Sequence, residues 1–180
     1  METFFHVKLK LIYNTSVKGI QVEYLISAET EDSARTIIET HFQKIISHPK
    51  KTVYKFSKEA DKYVPIILDA GIGDERLISI EIISAKESTI CCFWGNRNAP
   101  IYLAKIGADY TSVNISINAI QNIAIGANDF DEAYSIIKNT FKDDQYVAKQ
   151  LFSKKISDYD CNHATFYIYS IKKSKLSVIS

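Results

Sequence analysis

Cysteine, arginine and proline are scarce in this chain of 180 residues, and the scarcities exclude whole classes of protein. The cysteines are Cys91, Cys92 and Cys161. An odd number that includes an adjacent pair is no disulfide framework of the kind that staples small secreted domains. Among 22 Lys and Arg residues, only Arg35, Arg76 and Arg97 are arginine. Readers of phosphates and bases favour the arginine fork, so this bias weighs against nucleic-acid recognition. The formal net charge is +1, which leaves no global field to draw in nucleic acid or an anionic membrane. No stretch approaches the roughly 18–20 apolar residues of a membrane span. The opening Met1-Glu2-Thr3-Phe4-Phe5-His6 has no basic region leading into an apolar run, so no secretory signal is expected. A cytoplasmic setting follows, and Asn14-Thr15-Ser16 and Asn114-Ile115-Ser116 are then chance sequons.

What is present is an echo. Ser27-Ala28-Glu29-Thr30-Glu31-Asp32-Ser33-Ala34-Arg35-Thr36-Ile37-Ile38 returns as Gly126-Ala127-Asn128-Asp129-Phe130-Asp131-Glu132-Ala133-Tyr134-Ser135-Ile136-Ile137. Phe42 and Phe141 keep the same spacing. Phe56-Ser57-Lys58 with Tyr63 returns as Phe152-Ser153-Lys154 with Tyr159, and Ile82-Ile83-Ser84 as Ile168-Tyr169-Ser170. With 46% hydrophobic and 24% charged residues, a chain of this length buries a core unaided.

The hydrophobic period supplies the elements. Phe5, Val7, Leu9 and Leu11 alternate with His6, Lys8 and Lys10, which predicts a half-buried strand over 4–13. A turn at 14–19 leads to a second strand over 20–28. Thr30 reads as a helix N-cap, with Glu31 and Asp32 at the positive end of the dipole. Ala34, Ile37, Ile38, Phe42, Ile45 and Ile46 form the buried stripe, and Pro49 ends the helix near Ser47. A polar insertion spans about 48–75, and Gly71-Ile72-Gly73-Asp74 within it reads as a turn. Strands follow over 77–84 and 89–93. The second half repeats the order, with strands over 101–109 and 113–127, a second N-cap at Asp129 and a capping-box Glu132.

The expected fold is α+β, an internal duplication of a strand-strand-helix-strand unit with mainly antiparallel sheet and the helices on one face. The first repeat is 1–93 with its insertion near 48–75, the connector is 94–100, and the second repeat is 101–180 with an insertion near 142–160. Two arrangements stay open: one continuous sheet joined edge to edge, or two linked domains.

Tyr24-Leu25-Ile26-Ser27-Ala28, followed by Thr30-Glu31-Asp32-Ser33-Ala34 and a strand region over 78–93, resembles a duplicated family of uncharacterised proteins of Bacteroidetes and their phages. The resemblance covers most of the chain outside the two insertions. It implies a phage or mobile-element setting, hence the cytoplasm of the producing or infected bacterium, or a virion. It transfers no catalytic residue.

The chemistry-bearing residues are sparse. His6, His41, His48 and His163 lack a partner at metal-ligand spacing, so no metal and no cofactor is expected. Cys91 and Cys92, as strand neighbours, should point to opposite faces and not act together. Cys161 with His163 is the weakest candidate, a nucleophile pair without an orienting group. Trp94, Asn96, Arg97 and Asn98 are the candidate protein contact, since Trp and Arg are enriched at hot spots; the alternative is a Trp wedged between the halves. Tyr167, Tyr169, Lys172, Lys173 and Lys175 combine aromatics with cations and are the candidate nucleic-acid surface, against the alternative of a Lys-guarded edge strand. The expected function is non-enzymatic binding or assembly through protein contacts or self-association, with a virion component or a host defence protein as partner. RNA or single-strand binding is the alternative.

Overall fold

The computed structural model describes residues 3–16, 18–111, 116–141 and 163–179. The elements run β1 (Phe4–Tyr13), β2 (Ile20–Ser27), α1 (Glu31–Ser47), β3 (Lys50–Ser57), β4 (Lys62–Asp69), β5 (Leu77–Glu87), β6 (Ile90–Gly95), β7 (Ile101–Thr111), β8 (Ser116–Gly126), α2 (Phe130–Thr140), β9 (His163–Lys173) and β10 (Ser177–Ile179). The protein is mixed α+β with mostly antiparallel pairing.

Both helices start where a side chain satisfies an orphan N–H. The Thr30 hydroxyl accepts from Ser33 N at 3.1 Å, and Ser33 Oγ accepts from Thr30 N at 2.9 Å. Asp129 Oδ1 accepts from Glu132 N at 2.8 Å, while Glu132 Oε2 accepts from Asn128 N, one residue before the cap.

In place of one continuous sheet, the described residues form two four-stranded sheets, in the orders β10-β2-β1-β5 and β6-β8-β7-β9. Each carries its own helix. Val7, Leu9 and Leu11 pack with Ala34, Ile38 and Phe42 under α1. Ala104, Ile106, Ile123 and Ile125 pack with Ala133 and Ile137 under α2. The sheets are interlocked rather than merely linked. β6 follows β5 in the chain but pairs in parallel with β8, and β10 follows β9 but pairs in parallel with β2. The physical reason is that β2 and β8 would otherwise each leave a row of unpaired backbone groups, which the arriving strand satisfies. A third apolar cluster seals the crossing. It takes Phe4 and Leu25 from one sheet, Ile101 and Ala124 from the other, and Ile90, Phe93 and Val178 from the exchanged strands.

The details match between the sheets. Ser88 N donates to Phe4 O at 2.7 Å, and Ser174 N to Ile101 O at 2.7 Å. Ser88 Oγ then accepts from Ile90 N at 3.2 Å, and Ser174 Oγ from Leu176 N at 3.1 Å. The β1–β5 register slips between Lys8 and Leu9, and the β7–β9 register slips between Lys105 and Ile106. These slips leave Ile83 and Tyr169 as the extra residues of two bulges.

Of the span 94–100, Trp94 and Gly95 close β6, and Ala99 N donates to Asn96 O in the turn that follows. Within 48–75 lie β3 and β4, which among the described residues pair only with each other, as a two-stranded ribbon. The insertion near 142–160 lies outside the described residues.

Candidate functional site

The ribbon forms because Thr52, Val53, Tyr54 and Phe56 in β3, and Tyr63, Val64, Ile66 and Ile67 in β4, are β-branched or aromatic. Its tip, 58–61, closes with Asp61 at φ 46°, a left-handed conformation that Asp tolerates. Its base is pinned. Ala70 N donates to Pro49 O at 2.8 Å, and the Asp74 carboxylate accepts from Gly71 N at 2.7 Å and from Lys51 Nζ at 2.6 Å. Lys51 first, and then the Gly71 amide, hold the Asp74 carboxyl below its ordinary value. The turn 71–74 docks on the β1–β2 turn, where Asn14 Nδ2 donates to Asp74 O and Asn14 Oδ1 accepts from Arg76 N, both at 2.9 Å.

Directly paired side chains share a face and successive ones alternate. One face therefore carries Thr52 with Ile67, Tyr54 with Pro65, and Phe56 with Tyr63. Tyr54 is 66% exposed, Phe56 47%, Tyr63 67% and Ile67 70%. Phe56 and Tyr63 meet edge to face, ring centroids 5.4 Å apart. The opposite face, with half-buried Val64 and Ile66, is better covered. The sequence reads as a polar insertion here, and the ribbon is what that reading misses. The alternation of Thr52, Tyr54 and Phe56 with Lys51, Val53 and Lys55 is the signal that discloses it.

Trp94 is half-buried and packs into the cluster under α2, its ring edge to face with Phe141 at 5.6 Å. Phe141 in turn stacks on Phe166 at 4.5 Å. The Arg97 guanidinium lies 5.6 Å from the Phe93 ring centre. Asn96 Oδ1 accepts from Asn98 N at 2.9 Å, and both asparagines are exposed. The four thus sit in and beside one turn, Asn96 and Asn98 facing outward and Trp94 facing the core.

Tyr167 and Tyr169 are exposed on the face of the second sheet away from α2. Tyr169, at its bulge, lies over Gly107, where a Cβ would strike its ring. A hydrogen bond to the Asp109 carboxylate raises the Tyr167 hydroxyl above its ordinary value. Lys172, opposite Leu103, shares that face with Lys105. Lys173 pairs with Tyr102, a residue of the core under α2, so it falls on the other face, and Lys175 is exposed in the link to β10.

The expectation for Cys91 and Cys92 requires correction. The β6–β8 register slips between Ile90 and Cys92, so Cys91 is a bulge residue and simple alternation fails there. Both side chains pack against the cluster under α2, with Cys91 Sγ 3.9 Å from Cys92 Sγ. That contact lowers the Cys91 thiol against an opposing effect of burial.

His6 Nε2 lies 3.0 Å from Glu23 Oε2, and Lys8 Nζ 3.0 Å from Glu23 Oε1, on the open face of the first sheet. His41 is exposed and edge to face with Phe42. Cys161 and the side chain of His163 lie outside the described residues. A groove of about 660 Å³ between α2 and β9 is lined mainly by Phe130, Tyr134, Phe141, Phe166 and Ile168. Among the described residues, no three of His, Cys, Asp and Glu gather where they could hold a metal ion, and no helix is long and apolar enough to cross a membrane.

Comparison with family models, curated proteins and solved structures gives no match.

Proposed function

We propose that this chain is a non-enzymatic binding or assembly protein that acts through protein–protein contacts, on a scaffold made by duplicating one strand-strand-helix-strand unit. The carrying observation is the face of Tyr54, Phe56, Tyr63, Pro65 and Ile67 on the β3–β4 ribbon. Contiguous apolar patches rimmed by polar residues mark interaction sites on soluble proteins. A two-stranded ribbon is also marginally stable in water, so one that presents such a face gains most from a partner. The echoed sequence, the like strand orders and the paired Ser88 and Ser174 hydrogen bonds support the duplication. The phage or mobile-element setting, with a virion component or host defence protein as partner, rests on the family resemblance alone.

The test is recovery of partners on the immobilised protein from its native host after nuclease treatment, with wild type beside Tyr54→Lys/Tyr63→Lys. A stoichiometric protein retained by wild type and lost by the variant is the expected result. Equal recovery by both removes the ribbon from the reading.

A second reading has its own observation: Tyr167, Tyr169 and Lys172 share one open sheet face with Lys105, the arrangement of a base-stacking platform. It requires salt-sensitive binding of a labelled single-stranded oligonucleotide that Tyr167→Ala/Tyr169→Ala abolishes.

A further inference from the structure

We propose that the partner of the ribbon face is the same face on a second copy of this chain, the two ribbons stacking face to face about a two-fold axis. The inference rests on the protein-contact reading and names its partner.

The edges of the ribbon are poor sites for a third strand. β3 carries Lys50, Lys51 and Lys55, and β4 has Pro65, which lacks an N–H. Lysines and proline are the usual guards of an open edge. That leaves the faces. On the exposed face, the six residues between base and tip carry no charge, so nothing there complements a phosphate or an acidic or basic peptide. At the base Lys50 pairs with Asp69, and the tip holds Lys58, Glu59, Asp61 and Lys62, so each end is charge-balanced.

The face is also polar along its length. Phe56 and Tyr63 lie toward the tip, Ile67 and Thr52 toward the base, with Tyr54 and Pro65 between. A two-fold axis through the middle sets the aromatic end of one copy on the aliphatic end of the other, and each balanced tip beside a balanced base. Such an isologous contact closes with two copies. Three aromatic side chains at roughly half to two-thirds exposure, with Ile67 and Pro65, bring about 1,000 Å² of surface to two copies, at the lower limit for a specific interface. The dimer is therefore weak and concentration-dependent.

Sedimentation of the purified full chain at rising concentration tests this. Wild type should shift from monomer toward dimer in the micromolar to submillimolar range. Tyr63→Lys/Ile67→Lys should stay monomeric with an unchanged circular dichroism spectrum, because both positions are exposed and a charge there faces water. Tyr54 lies near the axis, so Tyr54→Cys should give a disulfide-linked dimer under mild oxidation, while Ile78→Cys, exposed on another sheet, should not. A monomeric wild type at submillimolar concentration overturns the proposal, as does dimerisation that survives the double lysine variant. If wild type is monomeric while a host protein is still lost by the Tyr54→Lys/Tyr63→Lys variant, self-pairing fails and the protein-contact reading stands. If wild type is monomeric and retains no host protein, both fail.

Discussion

Glu23 joins Lys8 and His6 on the open face of the first sheet, and its ionisation is tied to the fold. The hydrogen bond from Lys8 holds its carboxyl below the ordinary glutamate value, His6 adds to this, and partial desolvation opposes it. A carboxyl lowered in the folded state contributes stability at pH values above its unfolded value, about 4.3. That contribution is lost as pH falls through the lower folded value. The side chain is 41% exposed, so the effect is modest. Wild type should melt at a higher temperature than Glu23→Gln near pH 6, and the gap should close as pH falls below about 4.3. A gap that holds constant down to acid pH would show that the cluster contributes nothing through its charge.

At the scale of elements, the join between β6 and β8 depends on glycine. Gly95 has φ 83°, and a Cβ on Gly126 would collide with the Asn96 carbonyl oxygen, whose own residue donates N–H to Gly126 O at 3.0 Å. The obstacle is backbone and cannot rotate away. Gly126→Ala should cost about 2–4 kcal/mol in urea unfolding, the range of buried overpacking and lost hydrogen bonds. Gly73→Ala, with nothing within 4 Å of the added methyl, is the matched control and should change little. Equal effects from both would remove the steric account.

The elements also differ in how much of them the sequence discloses. Phe5, Val7, Leu9 and Leu11 state β1 through their period because one face of the strand meets the core. Thr30 and Asp129 state the helix starts through local hydrogen bonds. The partners of β6 and β10 are not legible, since parallel pairing across the molecule imposes no local period. The Cys91 bulge is hidden because it depends on register against β8. The aromatic ribbon face is hidden because its apolar residues face water, against the rule by which apolar residues are assigned to a core. Among the four residues around the 94–100 turn, Asn96 and Asn98 face outward as their loop position implies, whereas the inward turn of Trp94 follows from β6 joining the second sheet.

For the whole molecule, the exchange makes each sheet depend on residues remote in sequence. Ile179 is buried in the core under α1, opposite Ile26 in the β2 register. Ile179→Ala should cost about 2–4 kcal/mol. Hydrogen exchange should report the loss in 20–47 as well as in 177–179, and unfolding should remain one transition for both sheets. Faster exchange confined to the last residues would mean that β10 merely rests on the edge of β2.

The path of the chain has one further property. Phe4 lies opposite Ser27, and Ile179 opposite Ile26, so the beginning of β1 and the end of β10 flank the same end of β2. They stand about two strand spacings apart, roughly 10 Å. Between Phe4 and Ile179 the backbone thus comes close to a closed ring, which can be opened elsewhere. In an engineered variant, a short bridge from Ile179 to Phe4 with an opening at the exposed turn of Asn96 and Asn98 would reverse the order of the two halves and leave every strand pairing among the described residues in place.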